Sequence, residues 1–301
     1  MTQSRVVIAA PATVNLWWRI LAREASGFHG LETLFCAIDL CDHVEVEAGG
    51  AGGVTLSVEG EVDTGPVDSN LAVHAARLAL GAMGREAEGV HVRLRKCIPA
   101  AAGLGGGSSD AAATLRAVNA LFGDPLSREA LLRLGIELGS DLPFFLCGSP
   151  LALAWSRGER LLALPPLPPA PVLVAHPGEP MPTAGAFARV AERRGGSYRP
   201  VARAVDLAAL SSWKAVAELA ENDFAEVALE RIARLGEGLR VMRAEGARIA
   251  LLAGSGACIF GVFGAEAEVG RAERGVREEG FTTWRTRTLA RMPAPERVTP
   301  G

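Results

Sequence analysis

Apolar and polar residues alternate through GVHVRLRK (89–96), with Val90, Val92 and Leu94 on one side and His91, Arg93 and Arg95 on the other. A period of two marks a half-buried strand. The short apolar runs VVIAA (6–10) and VNLWWRIL (14–21) read as strands, and 31–47 and 53–59 continue in that style. The pattern then changes period. NLAVHAARLALGAM (70–83) predicts a helix, with Ser69 or Asp68 as its N-cap. A second helix is predicted over about 108–122, with Ala111, Leu115, Val118 and Phe122 on one face. Ser127 caps a third, running to about Leu138, and 151–164 reads as two short strands.

LPPLPPAPV (164–172) is the best boundary, since proline cannot donate to a sheet ladder and stiffens a connection. It predicts two domains, 1–163 and 164–301. Beyond it the order is strand 171–176, helix 183–194, helices over about 213–245, strands 247–253 and 257–263, helix 266–279 and strand 281–287. With the extra helices set aside, this is β-α-β-β-α-β, the ferredoxin-like order. The tail RMPAPERVTPG (291–301) is predicted to be loose.

The composition sets limits on partners. With 49% hydrophobic and 22% charged residues, the 301-residue chain is globular. A net charge of −3 argues against nucleic-acid binding. There is no apolar run of about 18 residues, and MTQSRVVIAAPATVNL lacks a signal peptide's apolar core, so a cytoplasmic protein without a membrane span is expected. The five cysteines (Cys36, Cys41, Cys97, Cys147, Cys258) have no metal-ligand spacing and are expected to be buried, reduced thiols. A monomer and a homodimer both fit the sequence.

IPAAAGLGGGSSDAAATL (98–115) carries the chemistry. Glycines in a turn between a strand and a helix let backbone N–H groups converge on an anion, and the helix end adds unpaired N–H groups and positive charge. Gly103, Gly105, Gly106 and Gly107 supply the turn, and Ser108 and Ser109 supply hydroxyls for a phosphate or a magnesium ion. GxxxxGK[ST] is absent, so this is not a Walker A loop. A glycine-rich turn without ligand is the alternative reading.

PAAAGLGGGSSDAAATL resembles the phosphate-binding motif of the GHMP kinases. APATVNL (10–16), SGFHGLETLF (26–35), GSDLPFFLCG (139–148), PTAGAF (182–187), ENDF (221–224) and AGSGACIF (253–260) resemble further blocks of that family, in order along nearly the whole chain. The resemblance implies an α+β, two-domain fold. An N-terminal α/β domain, of the type of ribosomal protein S5 domain 2, precedes a ferredoxin-like C-terminal domain. It also implies a small-molecule kinase using ATP and Mg2+. The triple glycine with SSDAA is most similar to the branch that phosphorylates the 2-hydroxyl of a cytidine diphosphate-linked methylerythritol, a step towards isoprenoid precursors. Another small alcohol as acceptor, or a catalytically weak nucleotide-binding relative, are the alternatives.

From residue type, Asp141 is either a turn or helix-cap aspartate before Pro143 or a base; its place in the motif implies the family's catalytic base. The motif positions imply substrate contacts for Asn15, Phe28, His29, Thr183 and Phe187, with aromatic rings suited to stacking on a cytosine; from residue type, Phe187 is equally a plain core ring and Asn15 a buried amide satisfied within the core. Nucleotide contacts are implied for Lys96, Pro99, Gly103, Leu104, Gly105, Gly106, Gly107, Ser108 and Ser109, with a solvated strand end as the other reading of Lys96. Asp110 could cap the helix or hold a serine hydroxyl, and Gly254–Ser255–Gly256 forms a second small-residue turn. Two positions depart from the pattern: Ser26 stands for an aspartate, and Thr13 for the lysine that supports the catalytic aspartate. Arg19, Arg23 and Lys96 are candidates to restore that charge.

Overall fold

The computed structural model describes residues 4–23, 29–49, 52–60, 65–181, 183–194 and 205–298. Its spine is an antiparallel pair, β1 (Arg5–Arg23) and β2 (His29–Ala48). The sequence predicts a break at APAT, but β1 runs through it. The break is instead a register shift between Pro11 and Ala12, where Pro11 faces Cys41 and Ala12 faces Ile38. Bulges are where a strand tolerates proline's missing N–H.

β3 (Gly53–Glu59) lies parallel to β4 (Gly89–Arg95), with the crossover helix α1 (Leu71–Ala82) between them in sequence. β5 (Leu151–Ser156) pairs β2, and β6 (Arg160–Leu164) pairs β5. The cap of α1 is Asn70, not Ser69 or Asp68. Asn70 Oδ1 accepts the Ala72 N–H at 2.9 Å, while Ser69 donates to Pro66 O within a 3-10 turn over Val67–Ser69. α2 (Gly106–Leu121) starts two residues earlier than expected. α1 and α2 cover one face of the sheet, where Ala76, Ala112 and Leu115 meet Ile8, Val44, Val92 and Leu94. α3 (Arg128–Leu138), capped by Ser127, and the short α4 (Leu142–Leu146) follow.

The second sheet holds β7 (Pro171–His176), β8 (Ile249–Leu252), β9 (Ile259–Val262) and β10 (Thr282–Arg287), in the order β10-β7-β9-β8, with every pair antiparallel. Its helices are α5 (Thr183–Arg194), α6 (Trp213–Leu219), α7 (Ala225–Arg231), α8 (Arg234–Ala244) and α9 (Glu266–Glu278). This is the ferredoxin-like arrangement expected. Val14, Leu16 and Leu34 of the first sheet share a core with Val172, Phe260 and Val262 of the second.

The tail is not loose along its whole length. β11 (Glu296–Val298) pairs antiparallel with β1, Val7 facing Glu296, and so returns the chain to the first sheet. Without this pairing β1 would leave an open edge there.

Candidate active site

A cavity of about 450 Å3 opens where the two sheets meet, and the glycine loop forms much of its wall. Pro99, Gly103, Leu104, Gly105, Gly106, Gly107 and Ser108 line it, together with Thr13, Asn15, Asp110 and Asp141. Lys96 and the Gly254–Ser255 turn also reach it. A larger groove, about 1030 Å3, lies elsewhere, between the outer face of the first sheet and residues 289–294. None of those site residues lines it.

The loop is held from both sides. Thr13 N–H donates to Leu104 O at 2.9 Å, and Cys258 N–H donates to Ala102 O at 3.2 Å. Gly103, at φ +76°, lies against the turn of the second sheet, where an added Cβ would come within 2.1 Å of Ala253 O. Gly254 meets Gly103 in the same way from the other side. These two glycines permit a backbone-to-backbone approach. Asn222 of the ENDF block fixes the turn: its amide donates to Leu252 O at 2.9 Å and to Gly254 O at 2.8 Å.

Gly105, in the left-handed region at φ +69°, caps α2, so the loop delivers a helix N-terminus to the cavity. The two serines differ. Ser108 lines the cavity, whereas Ser109 is buried, with a hydroxyl oxygen that has no protein partner. A Cβ on Gly106 would press on Ile98 at 3.2 Å and lie in ordinary contact with the Asp42 carboxylate at 3.6 Å.

Lys96 is tightly engaged. Its ammonium donates to Asp42 Oδ2 and, at 2.6 Å, to Asp110 Oδ2. Asp42 Oδ1 also accepts the N–H groups of Cys97 at 2.5 Å and Ile98 at 2.8 Å. Burial opposes charge on Lys96, but the Asp110 and Asp42 carboxylates outweigh it and hold the ammonium above its usual range. Burial, with Asp42 beside it, pushes the Asp110 carboxyl up despite Lys96. Asp110 therefore neither caps the helix nor holds a serine, and Lys96 reaches the cavity only as part of this brace.

Sequence reasoning missed Asp42. The signal was present: Asp42 falls in phase with the buried Val44 and Val46, and a carboxylate on an apolar face needs a partner.

Asp141 precedes α4, but its carboxylate makes no helix-capping hydrogen bond, which removes the cap reading. Burial alone raises its carboxyl from 3.8 to about 6. Among the described residues no cation pairs with it. Arg19 is committed to Glu221 at 3.2 Å, Lys96 to its two aspartates, and the Arg23 side chain lies outside the described residues. Thr13 is turned to structural use, its hydroxyl donating to Cys36 O at 3.2 Å and its methyl lying against Gly105.

Asn15 is buried and donates to Thr33 Oγ1 at 2.8 Å, which in turn donates to Trp17 O. Phe187 is not on the cavity wall. It packs edge-on to Phe224 at 4.8 Å, and Phe224 meets Trp18, which is on the wall, at 5.6 Å. Ser26 and Phe28 lie outside the described residues, as do the side chains of His29 and Thr183, although His29 opens β2 and Thr183 opens α5. The cysteines are not uniformly buried. Cys36, Cys147 and Cys258 are, but Cys41 is half-buried and Cys97 is exposed.

The family profile described as GHMP kinases N terminal domain matches residues 70–149, which hold α1, β4, the glycine loop and Asp141. A 4-diphosphocytidyl-2-C-methyl-D-erythritol kinase of Geobacter sp. is 36% identical over 260 residues, covering 86% of this chain and 90% of the relative. The chain belongs to the GHMP kinases, in the branch of the 4-diphosphocytidyl-2-C-methyl-D-erythritol kinases. A crystal structure of a kinase of this branch superposes with a TM-score of 0.77 at 35% identity, covering 94% of this chain and 98% of that one. The fold alone extends further in the GHMP kinases. A homoserine kinase from Cytophaga hutchinsonii matches with a TM-score of 0.73 at 18% identity, covering 99% and 98% of the two chains. Among the described residues no helix is long and apolar enough to cross a membrane.

Proposed function

We propose that this GHMP kinase transfers the terminal phosphoryl group of ATP to the 2-hydroxyl of 4-diphosphocytidyl-2-C-methyl-D-erythritol. One observation supports the mechanism above the rest: a half-buried Asp141, neither capping a helix nor paired with a cation among the described residues, shares one cavity with the anion-binding loop. Phosphoryl transfer asks for positioning, charge stabilisation and a base for the attacking hydroxyl. Asp141 takes the hydroxyl proton, and a carboxyl raised to about 6 is a stronger base than an exposed aspartate while still ionised at neutral pH.

The backbone N–H groups at the start of α2 and the Ser108 hydroxyl fit the nucleotide phosphates, since the loop presents an open helix end to the cavity. Magnesium, when bound, neutralises phosphate charge there, and Ser108 is the hydroxyl placed to meet it. Asn15 orients the acceptor from the cavity wall, and Phe28, His29 and Thr183 are the candidates for the cytidine side, whereas Phe187 backs Phe224 behind that wall. Thr13 contributes shape and supplies no charge. The division into domains at 163/164, a cytoplasmic location and small-molecule partners alone belong to the same reading.

Competition tests the acceptor. A cytidine nucleotide should raise the apparent KM for the cytidyl acceptor, and absence of competition would point to another alcohol.

A further inference from the structure

Cys41 and Cys97 stand on either side of the brace that supports the loop. β2 and β4 pair antiparallel with His43 opposite Arg95. The pairing ends there, with β4; carried two residues further, the same register would set Asp42 against Lys96 and Cys41 against Cys97. Lys96 reaches Asp42, and the Cys97 N–H donates to the Asp42 side chain at 2.5 Å in place of the β2 backbone, so Cys97 stays beside β2, next to the neighbour of Cys41, after the ladder has ended. Side chains alternate across a sheet, so with Asp42 and Lys96 turned inward, the two cysteines share the outward face. Their exposure fits, Cys97 being exposed and Cys41 half-buried. Directly opposed residues in an antiparallel pair have Cα atoms roughly 4.5–5.5 Å apart. A disulfide spans about 4.4–6.8 Å between Cα atoms, so the bond asks for Cys97 to be drawn into that opposition from just beyond the end of the pairing.

We propose that Cys41 and Cys97 form a reversible disulfide with hydroperoxides as the oxidant, and that this bond controls the phosphate loop. Exposed Cys97, as thiolate, attacks one peroxide oxygen; the O–O bond breaks, the sulfur becomes a sulfenic acid, and the departing oxygen takes a proton and leaves as water. The Cys41 thiol donates to Asp39 Oδ1 at 3.8 Å, and that carboxylate is the nearby acceptor for its proton. The Cys41 sulfur then attacks the Cys97 sulfur. The S–S bond forms, the S–O bond breaks, and hydroxide leaves with the proton as a second water. Two thiols are oxidised and one hydrogen peroxide is reduced to two waters.

Burial first, then Asp39, Asp42 and the Cys97 thiol, push Cys41 up to about 12, so Cys41 suits the resolving role better than the attacking one. Cys36, Cys147 and Cys258 are buried and do not compete for oxidant. Closing the bond draws Cys97 towards β2. The N–H groups of Cys97 and Ile98 are held by the same Asp42 carboxylate that pairs with Lys96, so the pull reaches the start of the loop.

The effect on nucleotide rests on the loop being the nucleotide site; formation of the bond does not. The full chain is treated with hydrogen peroxide, digested without reductant and mapped by mass spectrometry, and ATP affinity is measured in parallel. A peptide pair joined through Cys41 and Cys97, and ATP binding roughly five- to tenfold weaker and restored by dithiothreitol, is the expected result. Cys97→Ser and Cys41→Ser should lose the link and keep their ATP affinity under peroxide. Peroxide that leaves Cys97 as sulfinic acid with no joined peptide overturns the bond. A joined peptide with ATP affinity unchanged overturns the control of the loop. ATP that fails to bind even to the reduced chain counts against the nucleotide site and leaves the mapped bond to be judged by itself.

Discussion

Burial lifts the Asp141 carboxyl from 3.8 to about 6, with no charged partner among the described residues to offset it. A base must be ionised, so kcat/KM should fall as pH drops through about 6, and a rate that is flat down to pH 5 would remove Asp141 from that role. The stability consequence has the opposite sense to the usual aspartate. Because the folded pKa is raised, the folded state holds this proton better. That contribution is full below the unfolded value and is lost as pH rises through about 6, above which the carboxylate opposes folding. Asp141→Asn should therefore be more stable than the parent at pH 8, by about 1–2 kcal/mol after allowing for partial exposure, with the gain vanishing near pH 4. Thermal unfolding of both proteins across that range checks it. Thr13→Lys would place a cation on the wall of the cavity that Asp141 also lines, and should move the acid limb of the rate profile below pH 6; a limb that stays put would separate position 13 from the base. Asp141 and Thr13 were legible because each sits inside a motif. Asp42 was legible only as a carboxylate in phase with an apolar face; its partner was not, since Lys96 lies 54 residues away and only the pairing of β2 with β4 brings the two together.

At the scale of elements, the glycine loop serves two ends that the sequence presents as one. Gly105 to Ser108 form the open end of α2, whereas Gly103 is a contact between the two sheets. Gly103→Ala should cost several kcal/mol or prevent folding, because its Cβ would strike the backbone of residue 253 at a left-handed φ. Gly107→Ala meets only a Leu71 methyl at 3.9 Å and should leave stability within about 1 kcal/mol. Chemical denaturation of the pair distinguishes the two roles. Asn222→Ala leaves two buried carbonyls without their donor and should destabilise by roughly 1–3 kcal/mol, with ATP affinity falling as the turn at Gly254 loosens. Most helices and strands were readable from period and caps. The exceptions have local causes: β1 continues through a proline because a bulge absorbs it, the cap of α1 falls on Asn70 because Ser69 is used in a preceding turn, and three residues of the tail become a strand only because β1 has an open edge.

For the whole molecule, the cavity is a property of two sheets together. The first sheet supplies Thr13 and Asn15, its helices supply the loop and Asp141, and the second sheet supplies the Gly254–Ser255 turn. The ferredoxin-like order was legible from the succession of elements, but the meeting of Gly103 with Gly254, 151 residues apart, was not. The most direct measurement is ATP-dependent phosphorylation of 4-diphosphocytidyl-2-C-methyl-D-erythritol at pH 8 by the purified chain, beside Asp141→Asn, with ATP binding followed for both. The expected result is turnover by the parent, a loss on the order of 10² to 10⁴ or more in the variant, and unchanged ATP affinity. Near-normal turnover by Asp141→Asn, or a parent that binds both ligands and transfers nothing, would contradict it.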